Sequence, residues 1–266
     1  MPKAAASGAD SVCVDLEDAV GLADKGQARA DCWAQLEVLR GLGVRSILRI
    51  NALTTSEGLR DMVALIESPT APDGLFVPKC NSAEEVRWID SLLAGRHPDM
   101  EVLPIIETTI GLNNVADIAG ASPRVAALGF GSADYSAEIG SDMGWDALAY
   151  ARGRIVAAAG QCGVAAIDGV WIDYRDDDGL RREAKRIATM GYTGKIAIHP
   201  QQVAVINQVF TPSDEAVARA QRIVAAAAEA GGGVTTVDGQ MIDEPVVQSA
   251  RRVVAVAEHA AANAAK

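Results

Sequence analysis

Seven short β-rich runs alternate along this chain with longer amphipathic stretches, and that alternation constrains the fold more than any other feature. The runs cover residues 11–16, 46–51, 74–79, 102–107, 125–129, 165–172 and 195–199. Helical patterns lie between them, for example over 24–40, 82–93, 145–159 and 179–190. Such alternation predicts parallel strands joined by crossover helices. Local punctuation agrees. Asn81-Ser82-Ala83-Glu84-Glu85 is a capping residue followed by acids, and Gly41 and Gly43 can end the first long helix. Only 4% of residues are aromatic, so the core must be built from Ala, Val, Ile and Leu, as in the layered interior of a β/α barrel.

A closed barrel of this type needs an eighth strand. The chain instead opens on a helix-like segment, residues 2–7, so the expected fold is a TIM (β/α)8-type barrel lacking its first strand. The barrel is expected over residues 1–210 and a C-terminal helical extension over 211–266. That extension holds an Ala-rich helix at 216–230, a Gly231-Gly232-Gly233 break and a final helix over 246–261.

Acidic residues follow several of the apolar runs. Asp15, Glu17 and Asp18 come after the first, Glu107 ends the fourth, and Gly131-Ser132-Ala133-Asp134 follows the fifth. Carboxylates at strand ends converge on one face of a barrel, and Mg²⁺ takes hard oxygen ligands, often only one or two of them from protein carboxylates. Glu107 and Asp134 are therefore the metal candidates, with helix capping as the competing role for each. Glu17 and Asp18 are placed behind them, orienting metal-bound water, with capping the rival for Asp18. Arg49 stands inside an otherwise apolar run, where a charge needs a partner. It either clamps a substrate carboxylate through its two-pronged guanidinium or pairs internally with Asp15 or Glu17. Lys79 is read as a charged partner to the carboxylates, against a Schiff-base nucleophile, and His199 as either a base or a structural group. His97 and His259 are assigned no chemistry.

Charge and cysteine usage narrow the class. A net charge of −11, from 24 basic and 35 acidic residues, argues against a nucleic-acid binder, which would need a basic footprint. Cys13, Cys32, Cys80 and Cys162 form no CxxC pair and fit reduced thiols. No signal peptide and no membrane span is expected, and a cytoplasmic location is the reading.

With these residues placed, the chain resembles the citrate lyase beta-subunit/malyl-CoA lyase family of Mg²⁺-dependent acyl-CoA lyases. The resemblance rests on ADSVCVDLEDAV, DKGQAR, RSILRINAL, GLFVPKC, PIIETTIGL, VAALGFGSADYSAEIG, the segment from AAIDGVWIDYRDDDG to KIAIHPQQV, FTPS and DGQMIDEPV, all in family order. It implies a barrel that assembles as a homotrimer or hexamer. It assigns Mg²⁺ to Glu107 and Asp134 and substrate binding to Arg49, and it places the oxo-acid carboxylate on backbone amides around Gly131, Ser132 and Ala133. Asp243 matches an acid/base group offered to a neighbour's site. The implied reaction is reversible cleavage of a 3-hydroxyacyl-CoA, of the citryl-, malyl- or citramalyl-CoA class, into an acyl-CoA thioester and a 2-oxo acid. The alternatives are a malyl-CoA thioesterase using the same site and a non-catalytic member that has lost its CoA edge. One departure stands out: the family's opening Arg-Ser-x-Leu-Phe-Val-Pro-Gly strand is absent, in line with the strand count. Either the start site lies too far downstream or part of the CoA site is lost; the former is favoured here.

Overall fold

In the computed structural model, which describes residues 2–231 and 233–264, seven parallel strands form one sheet in sequential order. They are β1 (Ser11–Asp15), β2 (Arg45–Arg49), β3 (Gly74–Val77), β4 (Glu101–Ile106), β5 (Ala127–Phe130), β6 (Ala165–Asp168) and β7 (Gly194–Lys195). Each pairs in parallel with the next, and among the described residues β1 and β7 do not meet. This is a TIM-type barrel short of one strand. The last two strands are shorter than the sequence predicts. β6 stops at Asp168, and of the run 195–199 only Lys195 is strand. Both end where the chain leaves the ladder for a loop, which apolar patterning does not register.

The interior of the curled sheet is aliphatic, as the low aromatic content requires. Ile47, Phe76, Leu103, Ile105 and Ala127 pack there, with Ala165, Ile167 and Ile196 partly buried against them. Alternate residues turn outward onto the helices; Leu48, Leu75, Val77, Val102, Ile106 and Leu128 are fully buried.

The helices begin where their caps predict. The Ser82 hydroxyl accepts from the Glu85 amide at the start of Ala83–Leu93, while Glu85 reaches back to the Asn81 amide. The first long helix, Lys25–Gly41, closes at Leu42 with Gly43 in the left-handed region (φ 68°).

A second buried polar feature lies behind β6 and β7. Asp168 accepts from Arg152 Nε (2.9 Å) and Nη2 (3.1 Å) and from Lys195 Nζ (2.7 Å). Glu183 completes the cluster, 3.1 Å from Arg152 and 2.8 Å from Lys195. Two cations and two carboxylates thus neutralise one another, all buried except the slightly exposed Glu183, tying two strands to the helices Trp145–Cys162 and Asp177–Met190.

The chain divides into two compact units, Met1–Ile206 and Asn207–Lys266. In the second, the helices Asp214–Glu229 and Glu244–Ala264 share a core of Ala220, Ile223, Ala227, Ile242, Val247 and Ala250. Between them runs a hairpin, β8 (Thr235–Val237) and β9 (Gln240–Ile242), in a stretch to which the sequence reading assigns no element. Asp238 and Gly239 both have positive φ, 50° and 76°, as a two-residue turn that matches strand twist requires. Among the described residues no helix is long and apolar enough to cross a membrane.

Candidate active site

The ends of β1 to β5 bring the predicted residues together. Asp15 closes β1 opposite Arg49 at the end of β2. The Arg49 guanidinium grips Asp15 in two-pronged fashion, Nε to Oδ1 at 2.7 Å and Nη2 to Oδ2 at 2.6 Å. Asp15 also accepts the backbone N–H groups of Glu17 (2.9 Å) and Ala19 (3.1 Å), so it is saturated and fixes the turn that carries Glu17. Burial alone would raise the Asp15 pKa, but the hydrogen bonds and charge of Arg49 outweigh it and the net shift is downward. The two-pronged grip that the sequence reading could give to substrate is therefore taken up by Asp15. Nη1 is the prong that faces the site, 3.0 Å from Glu17 and 3.2 Å from Asp18.

The turn after β1 is held from both sides. Asn51 Nδ2 donates to the Leu16 carbonyl (2.9 Å), and Lys25 Nζ donates to the carbonyls of Leu16 (2.7 Å) and Glu17 (2.6 Å). Asn51 is in turn fixed by buried Asp61 (2.6 Å), which Arg29 holds at 2.5 Å. The DKGQAR segment thus contributes Lys25 and Arg29 as supports for the rim. Asp18 is the more peripheral acid, its side chain 59% exposed, and it pairs with Arg49; no capping bond from it is seen.

Glu107 follows β4 and is buried, while Thr108 takes the capping role at the next helix by accepting from the Gly111 amide (2.9 Å). Glu107 instead accepts the backbone N–H of Lys79 at 2.7 Å. The backbone at residue 131 passes directly over its carboxylate. A Cβ built on Gly131 would lie 2.0 Å from Glu107 Oε2, so only glycine fits there. Asp134 stands in the first turn of the helix Ser132–Ile139. Of the amides expected to hold an anion, that of Gly131 is already spent on the Ile106 carbonyl (3.0 Å). Those of Ser132, Ala133 and Asp134 begin the helix and point outward at its positive end. The Ser132 hydroxyl is buried with no hydrogen-bond partner.

Lys79 is central to a degree that the sequence does not reveal. Its Nζ lies 2.7 Å from Glu17, 3.3 Å from Asp134 and 3.8 Å from Glu107. Burial would lower its pKa, but the surrounding carboxylates raise it, so it is a charged group and a poor nucleophile. His199 stacks on Tyr174 with ring centroids 4.7 Å apart and accepts from the Gln201 amide, a structural role. His97, read from sequence as a loop residue, is buried and bonds the Leu65 carbonyl at 2.9 Å.

Among the described residues Asp15, Glu17, Asp18, Glu107 and Asp134 form ion pairs with Arg49 and Lys79 alone, an excess of negative charge in one hollow. Burial pushes the Glu107 carboxyl up to about 8, opposed by Lys79 and reinforced by Asp134 and Glu17. This donor set fits Mg²⁺ by its hard oxygens: two protein carboxylates, Glu107 and Asp134, suffice for an ion that keeps several waters, and among the described residues no cluster of three or more ligating side chains forms a full cage. The raised pKa also has a stability consequence. The folded state holds the Glu107 proton more tightly than the unfolded chain, so this contribution is present below the ordinary carboxylate range and is lost as pH rises through about 8. Thermal melts in chelator between pH 5 and 9, as bracketing conditions, should show wild type losing stability relative to Glu107→Gln. Parallel curves would contradict it.

Fold and site together define a TIM-type barrel enzyme with a carboxylate-lined rim. The model of the HpcH/HpaI aldolase/citrate lyase family matches residues 1–200. The L-malyl-CoA/beta-methylmalyl-CoA lyase of Cereibacter sphaeroides is 38% identical over 285 residues, spanning 96% of this chain and 90% of that protein. RipC from Yersinia pestis is 41% identical with a TM-score of 0.73, over 79% of this chain and 93% of that one. Protein CitE from Mycobacterium tuberculosis, solved with magnesium, acetoacetate and coenzyme A, is 32% identical with a TM-score of 0.74, over 95% and 91% of the two chains. The chain belongs to the HpcH/HpaI aldolase/citrate lyase family and is a carbon–carbon lyase.

Proposed function

We propose that this protein is a Mg²⁺-dependent acyl-CoA lyase that reversibly cleaves a 3-hydroxyacyl-CoA of the malyl-, citramalyl- or citryl-CoA class into an acyl-CoA and a 2-oxo acid. The observation that carries the reading is the convergence of Glu107, Asp134 and Arg49 with the open amides of residues 132–134 on one rim. The malyl-CoA lyase relative and the magnesium, acetoacetate and coenzyme A bound to the CitE relative support it.

Glu107 and Asp134 would hold the ion. When bound, Mg²⁺ supplies a Lewis acid for the oxo-acid carboxylate and carbonyl. The amides of Ser132, Ala133 and Asp134 receive the oxo-acid carboxylate. Arg49, its plane fixed by Asp15, directs Nη1 to the substrate hydroxyl oxygen, stabilising the alkoxide formed when that hydroxyl gives its proton to water. The alkoxide becomes the oxo-acid carbonyl as the C–C bond breaks and the bond's electron pair passes to the thioester α-carbon. Glu17 and Asp18 would orient water beside such an ion. The carbanion left on the thioester α-carbon takes up a proton from Asp243, which stands at the start of the helix Glu244–Ala264 with Oδ1 accepting the Val246 amide (3.3 Å). In this reading Asp243 comes from an adjacent subunit of a homotrimer or hexamer, which works in the cytoplasm without nucleic acid or membrane.

The test is a panel of acyl-CoA thioesters with Mg²⁺, followed for both oxo acid and free thiol. Stoichiometric oxo acid and acyl-CoA are expected. Free thiol without oxo acid would replace the lyase with a thioesterase, and no turnover of any member would defeat both.

A further inference from the structure

We infer that the Lys79 ammonium is the site's internal counter-ion: it holds the place between Glu17, Asp134 and Glu107 that a divalent cation takes, and retreats onto Glu17 when that cation enters. The inference rests on the metal-site reading above.

Three features point to it. Nζ is within 3.8 Å of carboxylates carried by three separate segments, the turn after β1, the end of β4 and the helix after β5. No other cation touches Asp134 or Glu107 among the described residues. The main chain and side chain of Lys79 also act separately. Its N–H is pinned to Glu107 at 2.7 Å, and its backbone sits in the left-handed region (φ 48°), a strained conformation for lysine that surrounding contacts must hold. The side chain, about a third exposed, reaches its carboxylates independently of that anchor.

Glu17 is the natural receiver. It already makes the shortest contact with Nζ, 2.7 Å through Oε1, while its Oε2 is fixed 3.0 Å from Arg49 Nη1, so the carboxylate stays in place to keep the ammonium. A monocation and a dication cannot occupy one pocket, because like charges a few ångströms apart repel strongly in a partly buried site. Exchange keeps the carboxylates compensated in both states. It also sets a threshold, since a cation must outbid a resident ammonium and weakly bound monovalent ions do not.

The experiment is calorimetric titration of the intact protein with Mg²⁺ at pH 8.5, without substrate. Lys79→Met and Lys79→Gln should each tighten binding by about tenfold or more. Lys79→Arg should not tighten it, because the charge remains. Arg49→Met, which removes a cation of the same rim that contacts neither Glu107 nor Asp134, should shift affinity by less than about threefold. Unchanged or weaker binding in both neutral Lys79 variants overturns the inference, as does an equal shift from Arg49→Met, which would reduce it to general electrostatics. Melting curves in chelator give a second reading: the neutral Lys79 variants should melt below wild type and gain more from Mg²⁺. The metal-site reading fails separately, if wild type binds no Mg²⁺ or if Glu107→Gln binds it as well as wild type.

Discussion

Glu107→Ala and Asp134→Ala are each expected to lower divalent-cation-dependent cleavage by about a thousandfold or more in kcat/KM. The size follows from what the pair supplies. Both carboxylates face the same hollow, and each variant removes one of the two carboxylates proposed to hold an ion that ordinarily takes few protein ligands. Glu107 carries more of the effect. It is buried, it receives the Lys79 amide, and the Gly131 backbone lies against it, so truncation also frees the strained Lys79 turn. Asp134 is more exposed and makes no bond that holds the fold, so its variant should retain the wild-type melting curve while losing activity. Steady-state kinetics with Mg²⁺, beside calorimetric Mg²⁺ titration, checks both. Wild-type turnover in either variant would remove that residue from the site.

Much of this was legible in the chain. The strand number and order follow from the spacing of apolar runs, and a parallel barrel brings strand ends to one rim, so Glu17, Asp18, Arg49, Glu107 and Asp134 could be named together. What stayed hidden depended on partners distant in sequence. Lys79 follows a proline and carries no glycine signal, so neither its positive φ nor its central place could be read from Val77-Pro78-Lys79. Arg49 offered two roles on sequence grounds, and only geometry shows the pairing with Asp15 that leaves Nη1 for the site. Arg152 is the clearest omission. Within an amphipathic helix a charge ordinarily marks the solvent side, yet this one is buried because Asp168, Glu183 and Lys195 arrive from other elements. One miss was avoidable. Val237-Asp238-Gly239-Gln240 carries the Asp-Gly signal of a tight hairpin, and the resemblance at DGQMIDEPV drew attention to Asp243 instead.

The largest stability effect is expected away from the catalytic rim, at Asp168. This carboxylate is fully buried and receives two bonds from Arg152 and one from Lys195. Asp168→Ala leaves two buried cations facing Glu183 alone, and breaking a buried pair from one side typically costs about 3–5 kcal/mol. Asp168→Asn keeps the shape but not the charge and should fall only slightly short of that loss. The surface pair Arg45–Glu101, with side chains 44% and 37% exposed, is the internal comparison; Glu101→Ala should cost no more than about 1 kcal/mol. Urea denaturation of the three variants at pH 7 measures the contrast, and an Asp168→Ala loss below about 1 kcal/mol would show that the cluster relaxes or admits water. The damage should also reach the rim. The next residue, Gly169, packs so closely that a Cβ on it would stand 2.4 Å from the Ser132 hydroxyl and 2.7 Å from the Phe130 carbonyl. A shifted β6 end therefore disturbs the start of the helix whose amides are proposed to receive the oxo-acid carboxylate. Folded Asp168→Asn should accordingly show a raised KM for the oxo acid in the condensation direction with Mg²⁺ affinity little changed, because neither metal candidate contacts the cluster.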